Sequence, residues 1–100
     1  MFARLSTIYG MPDRAKEAVG TTVPEEIRGL PGFKGAYALV DRNSGKAVLI
    51  TLWESEEAMR ASQEVANRLR GEIAQSAGAT TQPIVETYEV VAQPEMAGMG

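Results

Sequence analysis

Four stretches of the chain have the alternating, β-branched and aromatic character that is typical of strands. They are residues 2–9, 33–41, 46–53 and 80–92. The turn sequence Arg42-Asn43-Ser44-Gly45 separates the second and third stretches, so we expect these two to form a β-hairpin. The turn can contain two or three residues, which leaves the hairpin register open by one residue.

Two helices are predicted between these strands. The first begins at Pro12, breaks at residues 20–22 and restarts at Pro24, because glycine and a following proline interrupt a helix. The second begins after Ser55, a natural N-cap, and ends near Gly78. Its residues at helical spacing form one packed face, made of Ala58, Ser62, Val65, Ala66, Leu69 and Ile73.

The resulting order, βαββαβ, predicts an α+β ferredoxin-like fold with two helices on one face of a four-stranded antiparallel sheet. Residues 35–40 and 47–53 are nearly apolar on both alternating sets, as in strands that are buried on both faces. Since two helices cover only one face, we expect the other face to pack against a second copy in a closed homodimer. The alternative is a monomer with an exposed apolar patch.

The length of 100 residues predicts one domain, which we place at residues 1–92, followed by a mobile tail at residues 93–100. The net charge of -3 and the scattered basic residues argue against a nucleic-acid partner. The chain contains no long apolar run, and its start lacks the signal-peptide pattern, so we expect neither a membrane span nor export. These features favour a cytoplasmic location.

The chain contains neither cysteine nor histidine. Their absence excludes thiolate nucleophiles, Ser-His pairs, structural zinc and the usual axial ligands of haem. We therefore expect no metal and no cofactor. Catalysis, if present, would use carboxylates, tyrosines, basic side chains, the tryptophan or the substrate's own reactivity.

The segment 51–58, Thr-Leu-Trp-Glu-Ser-Glu-Glu-Ala, together with Leu30-Pro31-Gly32-Phe33, resembles the antibiotic biosynthesis monooxygenase-like family of dimeric α/β barrels. The resemblance extends from Phe2 to Ala92 in the order and spacing of elements. It implies the fold more strongly than an activity, because the family includes cofactor-independent oxygenases of polyketide aromatics, haem-degrading enzymes and proteins without an assigned role.

The haem-degrading relatives use a tryptophan at the position of Trp53, with an asparagine on the first strand and a histidine on the second helix. Here Ala3 falls at the first-strand position and no histidine exists, so the resemblance does not extend to haem degradation. In the cofactor-independent oxygenases, a pocket between the sheet and the helices is lined by the tryptophan. The resemblance thus makes Trp53 a candidate catalytic residue.

Four other side chains are candidates for the same site. Tyr37 is the candidate proton acceptor, and Arg4, Tyr9 and Tyr88 are candidate substrate-binding residues. Each also has a structural interpretation: the tyrosines as half-buried strand residues and Trp53 as core beside the second helix, which we favour.

Arg4 lies within a strand, where a buried cation needs a partner. An ion pair with Glu86 or Glu89 on the last strand is the favoured interpretation, and binding of an anionic ligand is the alternative.

Two functions are compatible with this sequence. The first is a cofactor-independent monooxygenase that acts on a small aromatic compound of the quinol or polyketide type. The second is a non-catalytic dimer of the same fold, either ligand-binding or structural.

Overall fold

The computed structural model of the chain describes residues 1–20 and 22–94. Within them the elements are, in order, β1 (Phe2–Tyr9), α1 (Ala15–Val19), α2 (Glu25–Arg28), β2 (Phe33–Val40), β3 (Lys46–Trp53), α3 (Glu56–Ala61), α4 (Gln63–Ser76) and β4 (Ile84–Glu89). The strands form one antiparallel sheet in the order β2-β3-β1-β4. The predicted α+β ferredoxin-like fold is confirmed.

The strand bounds follow the predicted ones closely, since β1 and β3 agree to the residue and β2 ends one residue earlier. The last strand is shorter than the predicted 80–92 and covers Ile84–Glu89. The predicted interruption of the first helix is present between α1 and α2. Of the predicted tail, residues 93–94 belong to no element, and residues 95–100 lie outside the described part.

The second predicted helix is two helices, which meet at Ser62. Three donors converge there on one carbonyl, Met59 O: the Ser62 backbone N–H at 3.2 Å, the Ser62 hydroxyl at 2.6 Å and Arg4 Nη2 at 2.7 Å. This carbonyl is the one that a continuous α-helix would use for its next bond, so the competing donors end α3. The predicted N-cap is present, because Ser55 Oγ accepts a hydrogen bond from the Ala58 N–H at 3.1 Å.

The β2–β3 turn is longer than either alternative from the sequence. Asp41 N–H donates to Lys46 O at 2.8 Å, so four residues, 42–45, form the loop between them. The last of these, Gly45, has φ 82, and a Cβ there would collide with the Gly10 carbonyl. A β-bulge between Phe33 and Gly35 offsets the far end of the pair.

The two faces of the sheet differ in what covers them. Arg4 and Ser6 bond to helical residues, and alternate residues of a strand point to opposite faces, so their neighbour Leu5 points away from the helices. Register places Leu49 on the helix face, across from Ser6, and Ile50 on the outer face, across from Leu5. The hairpin register that the sequence left open is thereby fixed.

Two small apolar clusters occupy part of the space between the sheet and the helices. One contains Ile8 and Ala47 against the end of α4, and the other contains Ile27, Trp53 and Met59. The outer face carries large apolar side chains that nothing in the described chain covers, including Tyr37, Leu39, Ile84 and Tyr88, each about half exposed or more.

Candidate functional site

A cavity of about 510 Å³ lies between the two clusters, bounded by the helix face of the sheet, the α1–α2 segment and α4, and open to solvent on one side, where Thr22 and Ala38 are exposed. Most of its wall is apolar, formed by residues that include Val19, Val23, Ile27, Ala36, Ala38, Leu49, Ala66, Leu69 and Ile73. Five polar side chains interrupt this wall: Arg4 and Ser6 from β1, Thr51 from β3, Arg70 from α4, and the exposed Thr22 between α1 and α2. An apolar cavity with a few convergent polar groups is typical of a small-ligand site.

Arg4 connects the central strand to the helix junction. Its Nη1 donates to Ser62 Oγ at 2.9 Å and its Nη2 donates to Met59 O at 2.7 Å, and the residue is 5% exposed. These two bonds fix the guanidinium plane. They use two of the five N–H groups that arginine carries.

Arg70 reaches the same site from α4. Its Nε donates to Ser6 Oγ at 2.9 Å and its Nη1 donates to Asn67 Oδ1 at 2.6 Å, and the residue is 8% exposed. The side chain is therefore as fixed as that of Arg4. Two preorganised guanidinium groups line one cavity.

Neither arginine forms an ion pair within residues 1–20 and 22–94. The favoured expectation for Arg4 is thus wrong: Thr87, not Glu86 or Glu89, stands across from it on β4. Burial lowers the pKa of Arg4, and the positive charge of Arg70 lowers it further. Burial likewise lowers the pKa of Arg70. Both groups remain cations at neutral pH, because an arginine does not lose its proton in proteins.

A second cavity, of about 380 Å³, lies on the far side of the same two arginines. It is bounded by α3, the start of α4 and the helix face of β4, where Val85 and Thr87 are exposed. The exposed ion pair between Arg60 and Glu56, at 3.1 Å, stands at its margin. Arg4 and Arg70 therefore lie between the two cavities and line both of them.

Sequence comparison gives relatives without a known role. No protein-family model matches the chain. The uncharacterized protein Rv2557 of Mycobacterium tuberculosis is 35% identical over 95 residues, which cover 92% of this chain and 42% of the relative. A second uncharacterized protein of that organism, Rv2558, is 37% identical over 67 residues, which cover 64% of this chain and 28% of the relative. The chain thus spans less than half the length of these curated relatives.

Comparison with solved structures identifies the fold. A monooxygenase of Streptomyces coelicolor, ActVA-Orf6, in complex with nanaomycin D, superimposes with a TM-score of 0.72 and 23% identity, over 94% of this chain and 92% of that chain. SnoaB, a cofactor-independent oxygenase of Streptomyces nogalater, gives 0.62 and 18%, over 94% and 95%. The fold is that of the antibiotic biosynthesis monooxygenases. At these identities the likeness shows the fold alone.

Trp53 lies beside the cavity and not in its wall. It is fully buried, packs edge-to-face on Phe33 with ring centroids 5.6 Å apart, and belongs to the cluster of Ile27 and Met59. Its Nε1–H donates to Thr51 Oγ1 at 2.9 Å. Since Thr51 does line the cavity, the indole touches the site through this hydroxyl.

The three tyrosines do not converge in the cavity. Register places Tyr9, Tyr37 and Tyr88 on the outer face of the sheet, and they are 48%, 64% and 50% exposed. Tyr37 borders the cavity as part of β2, but its side chain belongs to the opposite face. Tyr88 donates its hydroxyl to Glu86 Oε2 at 2.8 Å, which raises the pKa of Tyr88. A raised pKa is the reverse of what a phenolic base requires.

Arg70 is the main residue that the sequence interpretation missed. A signal existed, because Ser62, Ala66, Arg70 and Ala74 follow one another in steps of four along the buried stripe of the predicted helix. A charged residue in an otherwise small and apolar stripe is a candidate for a site rather than for a solvated surface.

Within the described residues, no group of three or more acidic side chains could hold a metal ion. None of the helices described there is long and apolar enough to cross a membrane. The polar side chains of the cavity therefore supply two guanidinium groups and three hydroxyls.

Proposed function

We propose that this protein is a cofactor-independent monooxygenase that acts on a small aromatic compound of the quinol or polyketide type. The cavity carries the proposal: it is large enough for a fused-ring compound and mostly apolar, with Arg4, Ser6, Thr51 and Arg70 as a group of neighbouring polar side chains. Its fold is shared with ActVA-Orf6, a monooxygenase that holds nanaomycin D, and with the cofactor-independent oxygenase SnoaB. No metal or organic cofactor enters the proposed reaction.

The proposed reaction draws all its electrons from the substrate. With an anthrone-type methylene, two C–H bonds break, one atom of O2 becomes the new carbonyl oxygen, and the other leaves as water with the two hydrogens. The methylene carbon is oxidised by four electrons and O2 is reduced by four. The first step is loss of a proton, which makes the ring electron-rich enough to reduce oxygen, and the protein contributes orientation and an apolar cavity.

A second function is favoured by one observation. Among the described residues that line the cavity, none is an aspartate, a glutamate or a histidine, and Tyr37 directs its side chain to the other face of the sheet. A cavity without a proton acceptor suits a non-catalytic ligand-binding protein as well as it suits an enzyme.

Oxygen uptake separates the two functions. Purified protein is supplied with a panel of anthrones and hydroquinones, and the rate is compared with that of an Ala38→Phe variant, in which the added ring fills part of the cavity. We expect uptake above the spontaneous rate and a loss of about tenfold in Ala38→Phe. Ala61→Phe is the matched control, because Ala61 is exposed on α3 and outside the cavity. Uptake that never exceeds the spontaneous rate contradicts the enzyme and leaves the binding protein.

We further propose that the protein acts as a homodimer. Its support is the outer face of the sheet, where Leu5, Val48, Ile50 and Leu52 form a continuous apolar surface with the exposed side chains of Tyr37 and Leu39. A contiguous apolar surface of this kind marks an interface on a soluble chain. A second copy, related by a two-fold axis, presents the same surface and covers it completely.

A further inference from the structure

Arg4 and Arg70, which lie between the two cavities, have N–H donors that form no hydrogen bond with the described chain. Each guanidinium has five N–H groups, and within the described chain Arg4 and Arg70 each use two of them. No buried side-chain nitrogen in that part of the chain lacks a partner. Arg4 Nε and Arg70 Nη2 donate no hydrogen bond in the described chain, and they are therefore accessible from the cavities that both residues line.

Two such cations are costly to keep in an apolar cavity. Each loses most of its hydration, neither has a carboxylate partner in the described chain, and they repel each other. A lysine could neutralise itself by releasing its proton, whereas arginine cannot. The arrangement is explained if an anion joins the two guanidinium groups when the site is in use.

The apolar wall of the cavity indicates what the uncharged part of such an anion is. Leu49, which pairs with Ser6, and Leu69, which precedes Arg70 on α4, line the cavity near the arginines with aliphatic side chains. An inorganic ion would leave this apolar wall exposed to water. A flat ring with an ionised oxygen at one edge would cover the wall and also accept hydrogen bonds from the guanidinium groups.

We propose that the ligand of this cavity is an aromatic oxyanion, a carboxylate or a phenolate, held between Arg4 and Arg70 with its ring against Leu49 and Leu69. The proposal rests on the proposed function and states the ionised form in which the substrate binds. It also explains how a phenol can ionise in a cavity whose described lining holds no base: the guanidinium groups stabilise the phenolate and lower the pKa of the bound phenol, and the phenol releases its proton to solvent.

The first test is anaerobic binding of naphthoate and of naphthamide, its neutral analogue of the same shape, measured by calorimetry. We expect wild-type protein to bind naphthoate about tenfold or more tightly than naphthamide, since hydrogen bonds to charged groups are the strong ones. In Arg70→Met, naphthoate affinity should fall by about tenfold or more while naphthamide affinity stays within about twofold.

Arg68→Met is the matched control. Arg68 lies on the same helix, is about half exposed and pairs with Glu26 and Glu72, so its loss changes the net charge equally without touching the cavity. Arg70→Lys keeps the positive charge and loses the planar guanidinium with its paired N–H donors, so its affinity for naphthoate should lie between those of the wild type and Arg70→Met. Circular dichroism establishes that each variant is folded.

The second test uses para-nitrophenol, whose ionised form absorbs in the visible. Bound to the wild type, it should ionise about one pH unit or more below the free compound, and Arg70→Met should abolish this shift. The charged groups around the ligand are Arg4 and Arg70, with Glu56 and Arg60 across the second cavity. Arg4 and Arg70 keep their positive charge in the pH range of this titration, because arginine does not lose its proton in proteins.

Equal binding of naphthoate and naphthamide, no binding of naphthoate at millimolar concentration, or an equal effect of Arg68→Met and Arg70→Met overturns the proposal. Neither probe requires oxygen, so these results are independent of the oxygenase. Tight naphthoate binding without oxygen uptake contradicts the enzyme alone. Oxygen uptake that Arg70→Met leaves unchanged contradicts the anion site alone.

Discussion

Trp53 shows how one residue serves the core and the site together. Its indole is fully buried and packs on Phe33, which accounts for its position at the end of β3. Its N–H nevertheless bonds to Thr51, whose hydroxyl lies in the cavity wall. We therefore treat Trp53 as a positioning residue that holds the Thr51 hydroxyl in place.

A double-mutant cycle tests this role. Trp53→Phe and Thr51→Val each remove one partner of the hydrogen bond, and the double variant removes both. We expect a coupling of about 1 kcal/mol in the free energy of unfolding, measured by urea denaturation, because the donor is buried. Additive effects of the two changes would mean that the bond contributes nothing.

The two arginines differ in how far the sequence could predict them. Arg4 was recognisable because a cation within a strand of a small protein needs an explanation. Its actual partners, Ser62 and Met59, are distant in sequence and neutral, and no local pattern indicates them. Arg70 was missed because the predicted packed face was drawn from small and apolar residues, although Arg70 lies four residues after Ala66 on the same buried stripe. The placement of the tyrosines depended on strand register, which a single residue reverses.

At the scale of elements, local rules account for what is local. The alternation of β1 and β3, the N-cap at Ser55 and the break after α1 are all encoded within a few residues and were predicted. The division between α3 and α4 was not, because it depends on Arg4 reaching Met59 O from the central strand. The fold was thus predictable in its order of elements, and the cavity was not, since tertiary contacts shape it.

Ser55 provides a test at this scale. Ser55→Ala removes the acceptor for the Ala58 N–H and should destabilise the protein by about 1 kcal/mol in urea denaturation. Ser55→Asp keeps an acceptor and adds a negative charge at the helix start, so it should retain wild-type stability. Equal loss in both variants would show that the cap bond does not stabilise α3.

At the scale of the whole molecule, the sheet separates two environments. Its helix face forms one wall of the cavity, while its outer face carries large apolar side chains that nothing in the described chain covers. Neighbouring residues of β3 therefore report on different events: Leu49 on the interior of one chain, and Ile50 on the proposed contact between two.

Paired substitutions distinguish these events. Ile50→Lys should dissociate the dimer at micromolar concentration, because two unpaired cations in an apolar interface cost at least about 3 kcal/mol. Leu49→Lys should lower the melting temperature without changing the oligomeric state. Sedimentation and light scattering give the mass, and melting at several protein concentrations separates the two effects. Unmodified protein that is monomeric, with a melting temperature independent of concentration, would contradict the dimer.

The edges of the sheet decide which assemblies are open to the molecule. An edge strand with unpaired backbone groups can pair side by side with a strand of another chain, and fibrils grow by such edge-to-edge addition. Here the β2 edge is offset by the bulge between Phe33 and Gly35, and the β4 edge carries Glu86 and Glu89. A bulge and like charges both oppose strand addition. Growth by the edges is disfavoured, so the molecule can bury its apolar face in a closed pair without being drawn into aggregates.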